Sequence, residues 1–327
     1  MLHVHNGDCS ANVLKRSGLP GEHLVWREAL IAGPTPGAVS ADEWREFRAR
    51  HLADAYGGNF EECKRALAVQ EESLCGFGEH EEVVLWFEHD LFCQTLLVYL
   101  LDWFSRRELG ETRLSLVCVG EFPGVSDFRG LGQLTPAQMA SLFELRREVS
   151  EAELSLGAEA WRAYSSPDPR AIEELLGGDT SLLPYLREAM LRHLARFPST
   201  RNGLGRVENL ALELIQSGHG EFPALFQKFG RAEAAYGLGD AQFWNDLRRL
   251  AEAGRPLLVV DAPAAGDARE FADKTFKLTA FGEDVRTGRD DFVKANGIDA
   301  WLGGVHLSAG RELWRWNEQA LKLVLER

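Results

Sequence analysis

The sequence predicts an α/β protein: a mostly parallel, Rossmann-like sheet with flanking helices, then a helical region and a winged-helix-like α+β C-terminal domain. Three observations predict it. The run Glu82 to Asp90 passes through Val83, Val84, Leu85, Trp86 and Phe87 and ends in acid, imidazole and acid. That is the pattern of a strand buried on both faces, whose polar end falls where the strand turns into a helix. Around it, four strand-like segments alternate with helical ones, and parallel neighbours need crossovers of about a dozen residues. Further on, three helical stripes precede two strand-like segments, the order of a winged helix-turn-helix.

In chain order, Leu2-His3-Val4-His5 reads as a strand, Asn6-Gly7-Asp8 as turn and cap, and Ser10 to Ser17 as a helix closed by Gly18. His23 to Trp26 is the second strand, with Arg27 and Glu28 at its end. Ser40-Ala41-Asp42-Glu43 is a capping-box pattern that starts a helix to about Ala55, and a second helix covers Phe60 to Ser73. The central strand follows, then a helix from Leu91 to Phe104 for which Asp90 is a natural N-cap. Leu114 to Val119 is the fourth strand, ending at Gly120-Glu121. From the capping box at Thr135, with Pro136 at the first helical position, the chain reads as helical to about Arg196. Phe197 to Gly203 is the expected linker, which divides the chain into 1–134, 135–199 and 200–327.

Beyond the linker, Val207, Leu210, Ala211, Leu214 and Ile215 form an amphipathic stripe. Phe222 to Phe229 is a short second helix, and Asp240 caps a third through Leu250. Leu257 to Val260 and Phe271 to Leu278 are strand-like, joined through a flexible Ala262-Pro263-Ala264-Ala265-Gly266. Thr279 caps another short helix, and Trp301, Trp314 and Trp316 read as packing residues of the tail.

Composition narrows the classes. Of the net charge of -14, nearly all belongs to the first part: 18 basic against 31 acidic residues up to Ala195, and 18 against 19 from Arg196 onward. That excess disfavours a nucleic-acid surface there. Five cysteines, with no paired Cys-x-x-Cys, indicate neither a disulfide framework nor a cysteine zinc site. No stretch reaches the roughly 18 apolar residues that span a bilayer, and Met1-Leu2-His3-Val4 leads directly into a strand, so a cytoplasmic protein is expected.

Several blocks together resemble a bacterial family catalogued as domain of unknown function 1835: His5-Asn6-Gly7-Asp8, Val25-Trp26-Arg27-Glu28, Val83 to Phe92, Arg192 to Leu204, and Trp301 to Leu307 with Trp314-Arg315-Trp316. The Trp-Phe-Glu-His-Asp-Leu-Phe string is the most specific of them, and the chain departs from the family pattern at Cys93, where an acid is common. The resemblance implies a domain layout and supplies no mechanism.

If the strands are parallel, one edge gathers His5, Asn6, Asp8, Arg27, Glu28, Glu88, His89, Asp90 and Glu121. Asp8, Glu28, Glu88, His89 and Asp90 are the expected catalytic groups, and His5, Asn6 and Arg27 the substrate contacts. Asp8, Glu88 and Asp90 are the candidate ligands of a divalent metal, since carboxylates and imidazoles serve equally as metal ligands and as general acids and bases. Alternation places Glu88 and Asp90 on one side and His89 on the other. Each residue also has a plainer role: Asp8 and Asp90 as helix caps, Arg27 and Glu28 as a surface ion pair, His3 and His5 as partly exposed strand residues. Cys9 and Cys93, at helix starts, are alternative nucleophiles.

Two functions are expected. One is an enzyme or ligand-binding protein for a small anionic substrate, nucleotide-like or phosphorylated, working by hydrolysis or phosphoryl transfer. The other is a regulator whose C-terminal domain contacts DNA through Asn245, Arg248, Arg249 and Arg255, or else a protein partner. The near-neutral charge of that domain fits protein better than DNA.

Overall fold

The computed structural model describes residues 1–261, 271–308, 310 and 312–326. The chain divides into two compact units, one of Met1–Met190 with Gly303–Val305, the other of Leu191–Leu302 with His306–Arg327. Among the described residues no helix is long and apolar enough to cross a membrane.

The first unit is built on a five-stranded sheet. Its elements are β1 (Leu2–His5), α1 (Asp8–Lys15), β2 (Glu22–Val25), α2 (Ala41–Tyr56), α3 (Phe60–Cys75), β3 (Glu82–Glu88), α4 (Leu91–Ser105), β4 (Arg113–Val119), α5 (Pro136–Phe143), β5 (Arg147–Glu148), α6 (Glu151–Tyr164) and α7 (Arg170–Gly177), with α8 (Leu186–Leu194) following. The strand order is β2-β1-β3-β4-β5. The first four strands run parallel, and only the two-residue β5 is antiparallel to its neighbour β4. The chain therefore leaves β1 for β2 on one side and returns to β3 on the other. Such a reversal opens a crevice beyond the strand C-termini, between β1 and β3.

Burial follows from the sheet. Every residue of β3 is buried, as a central parallel strand covered on both faces requires. One face packs Val84, Trp86 and Val117 against Val13 and Leu14 of α1 and Met139 and Leu142 of α5. The helix α4 is buried along nearly its whole length. It meets α6 closely: a Cβ on Gly157 would lie 2.4 Å from the Cβ of Leu101, so the crossing excludes any larger residue.

Local signals account for most boundaries. The boxes at Ser40 and Thr135 form as their sequences require, hydroxyl to the third amide and side chain back to the cap amide. A third box at Ser150 starts α6. At Asn6-Gly7-Asp8 the expectation needs correction. Gly7 is the N-cap of α1, with no side-chain cap, and the helix begins at Asp8. The expected continuous helical run from Thr135 is likewise interrupted, because Arg147 and Glu148 pair with Leu116 and Ser115 as β5.

Glu28 is not at the rim. It lies buried against Arg48, whose Nη2 meets Glu28 Oε1 at 2.6 Å and whose Nε meets Oε2 at 3.1 Å. The same guanidinium donates to the carbonyls of Ala29, Ala32 and Pro34, so one ion pair pins the loop after β2. A plain surface pair with Arg27 is thus replaced by an internal one with a residue 20 positions away.

The second unit contains α9 (Arg206–Gln216), α10 (Phe222–Ala232), α11 (Asp240–Ala251), β6 (Leu258–Asp261), β7 (Thr275–Leu278), α12 (Ala280–Arg286), α13 (Phe292–Asn296), β8 (Asp299–Leu302), β9 (Val305–Ser308), β10 (Leu313–Asn317) and β11 (Lys322–Glu326). Three helices followed by the antiparallel pair β6-β7 are therefore present in the expected order. The joint expected at 262–266 falls outside the described residues. Phe222, Phe229, Phe243 and Phe276 form the aromatic centre, with the rings of Phe229 and Phe243 4.7 Å apart.

The segment 197–203 is not a linker. Phe197, Ser199 and Asn202 are buried. Thr200 donates its backbone N–H to the Trp316 carbonyl, and Trp316 donates to that of Pro198. Asn202 Nδ2 bridges Asn209 Oδ1 and the Val285 carbonyl. Polar Ser, Thr and Asn mimic a linker in sequence, yet here Ser199 and Asn202 are buried inside the unit while Thr200 stays exposed.

Breaking the buried pair leaves an uncompensated charge, so Arg48→Ala is expected to cost about 3–5 kcal/mol of unfolding free energy, measured by urea denaturation. A loss below about 1 kcal/mol would show that the loop after β2 does not depend on it.

Candidate functional site

The site forms where β1 and β3 end side by side. Their register sets His5 opposite Trp86, so Asn6, the first residue past β1, reaches the level of Glu88 at the end of β3. Asn6 Nδ2 donates to Glu88 Oε2 at 2.9 Å and lies 2.8 Å from Cys93 Sγ. The Cys93 thiol donates to the same Glu88 Oε2 at 2.9 Å, and the Leu131 amide donates to Oε1. Ser10 Oγ holds Asn6 from behind, donating to Oδ1 at 3.0 Å. Gly130 presses on the carboxylate: with φ at +149°, a Cβ there would stand 2.8 Å from Glu88 Oε1. Backbone conformation and close approach both demand glycine at this position.

Asp90 caps α4, accepting from the Cys93 amide at 2.8 Å. It is also buried beside Glu88. Burial first, and the Glu88 charge second, raise its carboxyl to about 7. The helix terminus ought to favour a thiolate at Cys93, yet burial and the two carboxylates push this thiol well above its ordinary range. As a nucleophile Cys93 is therefore disfavoured. Glu88, Asp90 and Cys93 offer one ligand atom each, all within 4.8 Å of one another. Two carboxylates and a thiol are donors accepted by borderline divalent metals such as zinc, provided the thiol gives up its proton.

The remaining expected residues are elsewhere. Asp8 and Arg27 form a two-pronged ion pair at 2.7 and 3.0 Å, with side chains 57% and 67% exposed. They belong to the rim, where the Arg27 hydrogen bonds hold the Asp8 carboxyl below its usual range. Asp8 thus leaves the expected metal trio, and Cys93 stands in its place. His89 lies edge-on to Tyr185 with ring centres 6.0 Å apart. Its Nδ1 is buried with no hydrogen-bond partner, and burial lowers its pKa. Glu121 is exposed.

His3 and His5 are fully buried rather than partly exposed. Trp86 Nε1 donates to His3 Nδ1 at 3.1 Å, and an indole N–H can only donate. His3 therefore stays neutral with its proton on Nε2, which faces the Pro20 carbonyl at 3.2 Å. His5 Nε2 meets His23 Nδ1 at 3.1 Å, and His5 stacks on Trp86. Burial, then the neighbouring histidine His23, lowers His5 to about 3, and burial, then His3, lowers His23 to about 4. Alternation along β1 turns both of its histidines under α1 and α5, so His5 has no surface with which to meet a substrate.

In the second unit, Asn245, Arg248 and Arg249 line one cleft of about 560 Å³ that also includes Glu252 and Asp299. Arg249 is ion-paired with Glu208. Arg255 pairs with Asp290 and lies over the Phe281 ring, 3.7 Å from its centre. Two of the three arginines are thus already neutralised. Trp316 is buried, and Trp301 stacks on His306 at 4.5 Å, as packing residues would.

Sequence reasoning missed the partners Ser10, Gly130, Leu131 and Gln94, the last donating to the Glu88 carbonyl at 2.7 Å. Their sequence signal is small. Only the pair Gly130 and Gly132 marks a close approach, Gly130 against Glu88 and Gly132 against Cys9.

Between the ordinary carboxyl value of 3.8 and about 7, folded Asp90 keeps a proton that the unfolded chain has released. Its contribution to stability therefore falls as pH rises through that window. His5 and His23 act oppositely, since the unfolded chain protonates them below 6.5 while the fold keeps them neutral down to about 3 and 4. Comparing Asp90→Asn with the parent isolates the carboxyl. The variant is expected to gain relative stability from pH 4 to 7, by at most about 1.4 kcal/mol per pH unit, in denaturant melts. A pH-independent difference would place the Asp90 proton outside this account.

No protein-family model matches this chain, and no curated protein matches its sequence.

Proposed function

We propose that the protein binds a small anionic ligand at the C-terminal edge of its parallel sheet and acts on it by acid-base or metal-assisted chemistry, with Glu88 and Asp90 as the working carboxylates. One observation carries the reading: two acids separated by one residue, Glu88 and Asp90, and the Cys93 thiol are buried together between the ends of β1 and β3, with ligand atoms within 4.8 Å. Two like charges so confined require a proton or a cation between them. Without a cation Asp90 holds the proton near neutrality, which is the condition for a general acid. With a divalent cation, the acidic crevice becomes attractive to an anion. The α1 terminus, capped by Gly7 with no side chain, supports an anion nearby through its free amides.

Thermal melting of the full chain with Zn²⁺, Mn²⁺ or Mg²⁺ tests this. One of these ions is expected to stabilise the protein, by about 2.7 kcal/mol at a hundredfold excess over its Kd, and more strongly as pH rises because protons must leave. Glu88→Gln and Asp90→Asn should fold and lose the effect. If no ion shifts the transition, or both variants respond like the parent, the metal-assisted reading is overturned. If, in addition, inorganic phosphate protects neither parent nor variants, the ligand site goes with it.

The regulator reading is kept by one observation, the cleft on α11 that Asn245, Arg248 and Arg249 line together. Internal pairing of Arg249 and Arg255 favours a protein partner over DNA. Retention on duplex DNA at low salt, lost in an Arg248→Ala, Arg249→Ala double variant, would restore DNA as the partner. Absence of retention at low salt ends that possibility.

A further inference from the structure

The strand β2 lies at the edge of the sheet, and among the described residues no strand pairs with its outer side. In place of a sixth strand, α3 approaches that edge, and Gln70 Oε1 accepts from the Arg27 backbone N–H at 3.1 Å. Short of this clip the two elements part and leave a cleft of about 580 Å³. Its size is that of a small-molecule site.

The lining is of two kinds. Leu24 and Val25 of β2, Leu52 of α2, and Ala66, Leu67 and Val69 of α3 make an apolar wall. Val69 is 55% exposed there, a large apolar side chain left facing water. Lys15 at the end of α1 and Arg65 on α3 line the same cleft. Neither has an ion-pair partner among the described residues. Arg27 also lines it, but Asp8 neutralises that charge. Glu62 is the one acid on the wall.

His23 adds a directional group. Its Nδ1 faces His5 Nε2. His5 Nδ1 is buried without a partner, and a bare lone pair there costs less than an orphaned N–H, which places the His5 proton on Nε2. His23 then accepts at Nδ1 and keeps its own proton on Nε2. His23 is a residue of the cleft wall, and this Nε2–H is its one remaining ring donor.

We propose that this cleft is a second ligand site, independent of the carboxylate site at the ends of β1 and β3, and that it takes an amphiphilic monoanion: a carboxylate head met by Lys15, Arg65 and His23, with an aliphatic body against Leu24, Leu52 and Val69. Charge complementarity selects the head, since two unpaired cations outnumber the single acid. Apolar area selects the body.

Octanoate is the probe and octanol its uncharged counterpart, each titrated into the full chain by calorimetry. One saturable octanoate site is expected, at least tenfold tighter than octanol. The Lys15→Ala, Arg65→Ala double variant should lose that preference while still binding octanol. Ala66→Trp, a change at an exposed position on the cleft wall, should abolish octanoate binding and leave metal-ion stabilisation of the chain as in the parent. Equal affinity for octanoate and octanol, parental octanoate binding in Ala66→Trp, or no saturable octanoate binding would each overturn the proposal.

Discussion

A single carboxylate holds the ends of this sheet together. Glu88 takes a hydrogen bond from Asn6 after β1, one from Cys93 in α4 and one from the Leu131 amide in the loop before α5. Three stretches of chain, far apart in sequence, thus converge on two oxygen atoms. Removing such an acceptor would leave two buried donors, the Cys93 thiol and the Leu131 amide, without it, and each orphan costs about 1–3 kcal/mol. The ends of β1 and β3 are consequently tied to one buried point. Asp90, two residues on, inherits an environment already charged and already dry, which is why its proton is retained.

The sheet was legible because its physics is local. A fully apolar run between polar ends reads as a buried strand, and a Ser or Thr three residues before Glu or Gln reads as a helix start; neither inference needs distant contacts. Pairing of neighbouring acids was legible for the same reason, from alternation along an extended chain. Glu28, Asp8 and His5 were not. Whether a strand-end acid faces a crevice or an internal cation depends on where α2 carries Arg48, and no spacing announces that. His5 shows the converse: a titratable residue on a strand carries no label for the face it will occupy. The Leu131 amide was invisible in principle, because a backbone donor has no residue type to recognise.

The same argument explains the segment 197–203. Its Ser, Thr, Asn and Gly content matches that of solvated connectors, yet Asn202 bridges Asn209 and a carbonyl of α12 while Arg315 Nη1 donates to the Ser199 carbonyl at 3.1 Å. Polarity alone distinguishes poorly between a loop in water and a buried strap whose groups satisfy one another. Order along the chain was the more reliable guide in the second unit, where three helices and an antiparallel pair occur as the periodicities required.

The imidazoles beneath α1 set a limit on the conditions the protein tolerates. His3 cannot accept a proton without losing the Trp86 indole, and His5 and His23, set nitrogen to nitrogen, cannot both be protonated without bringing two charges face to face. Of the three, His23 alone reaches water, and it sits on the outermost strand. Acid therefore attacks this sheet from its border inward, loosening the peripheral strand and the hollow beside it while the centre, where a carboxyl still carries its hydrogen, stays closed.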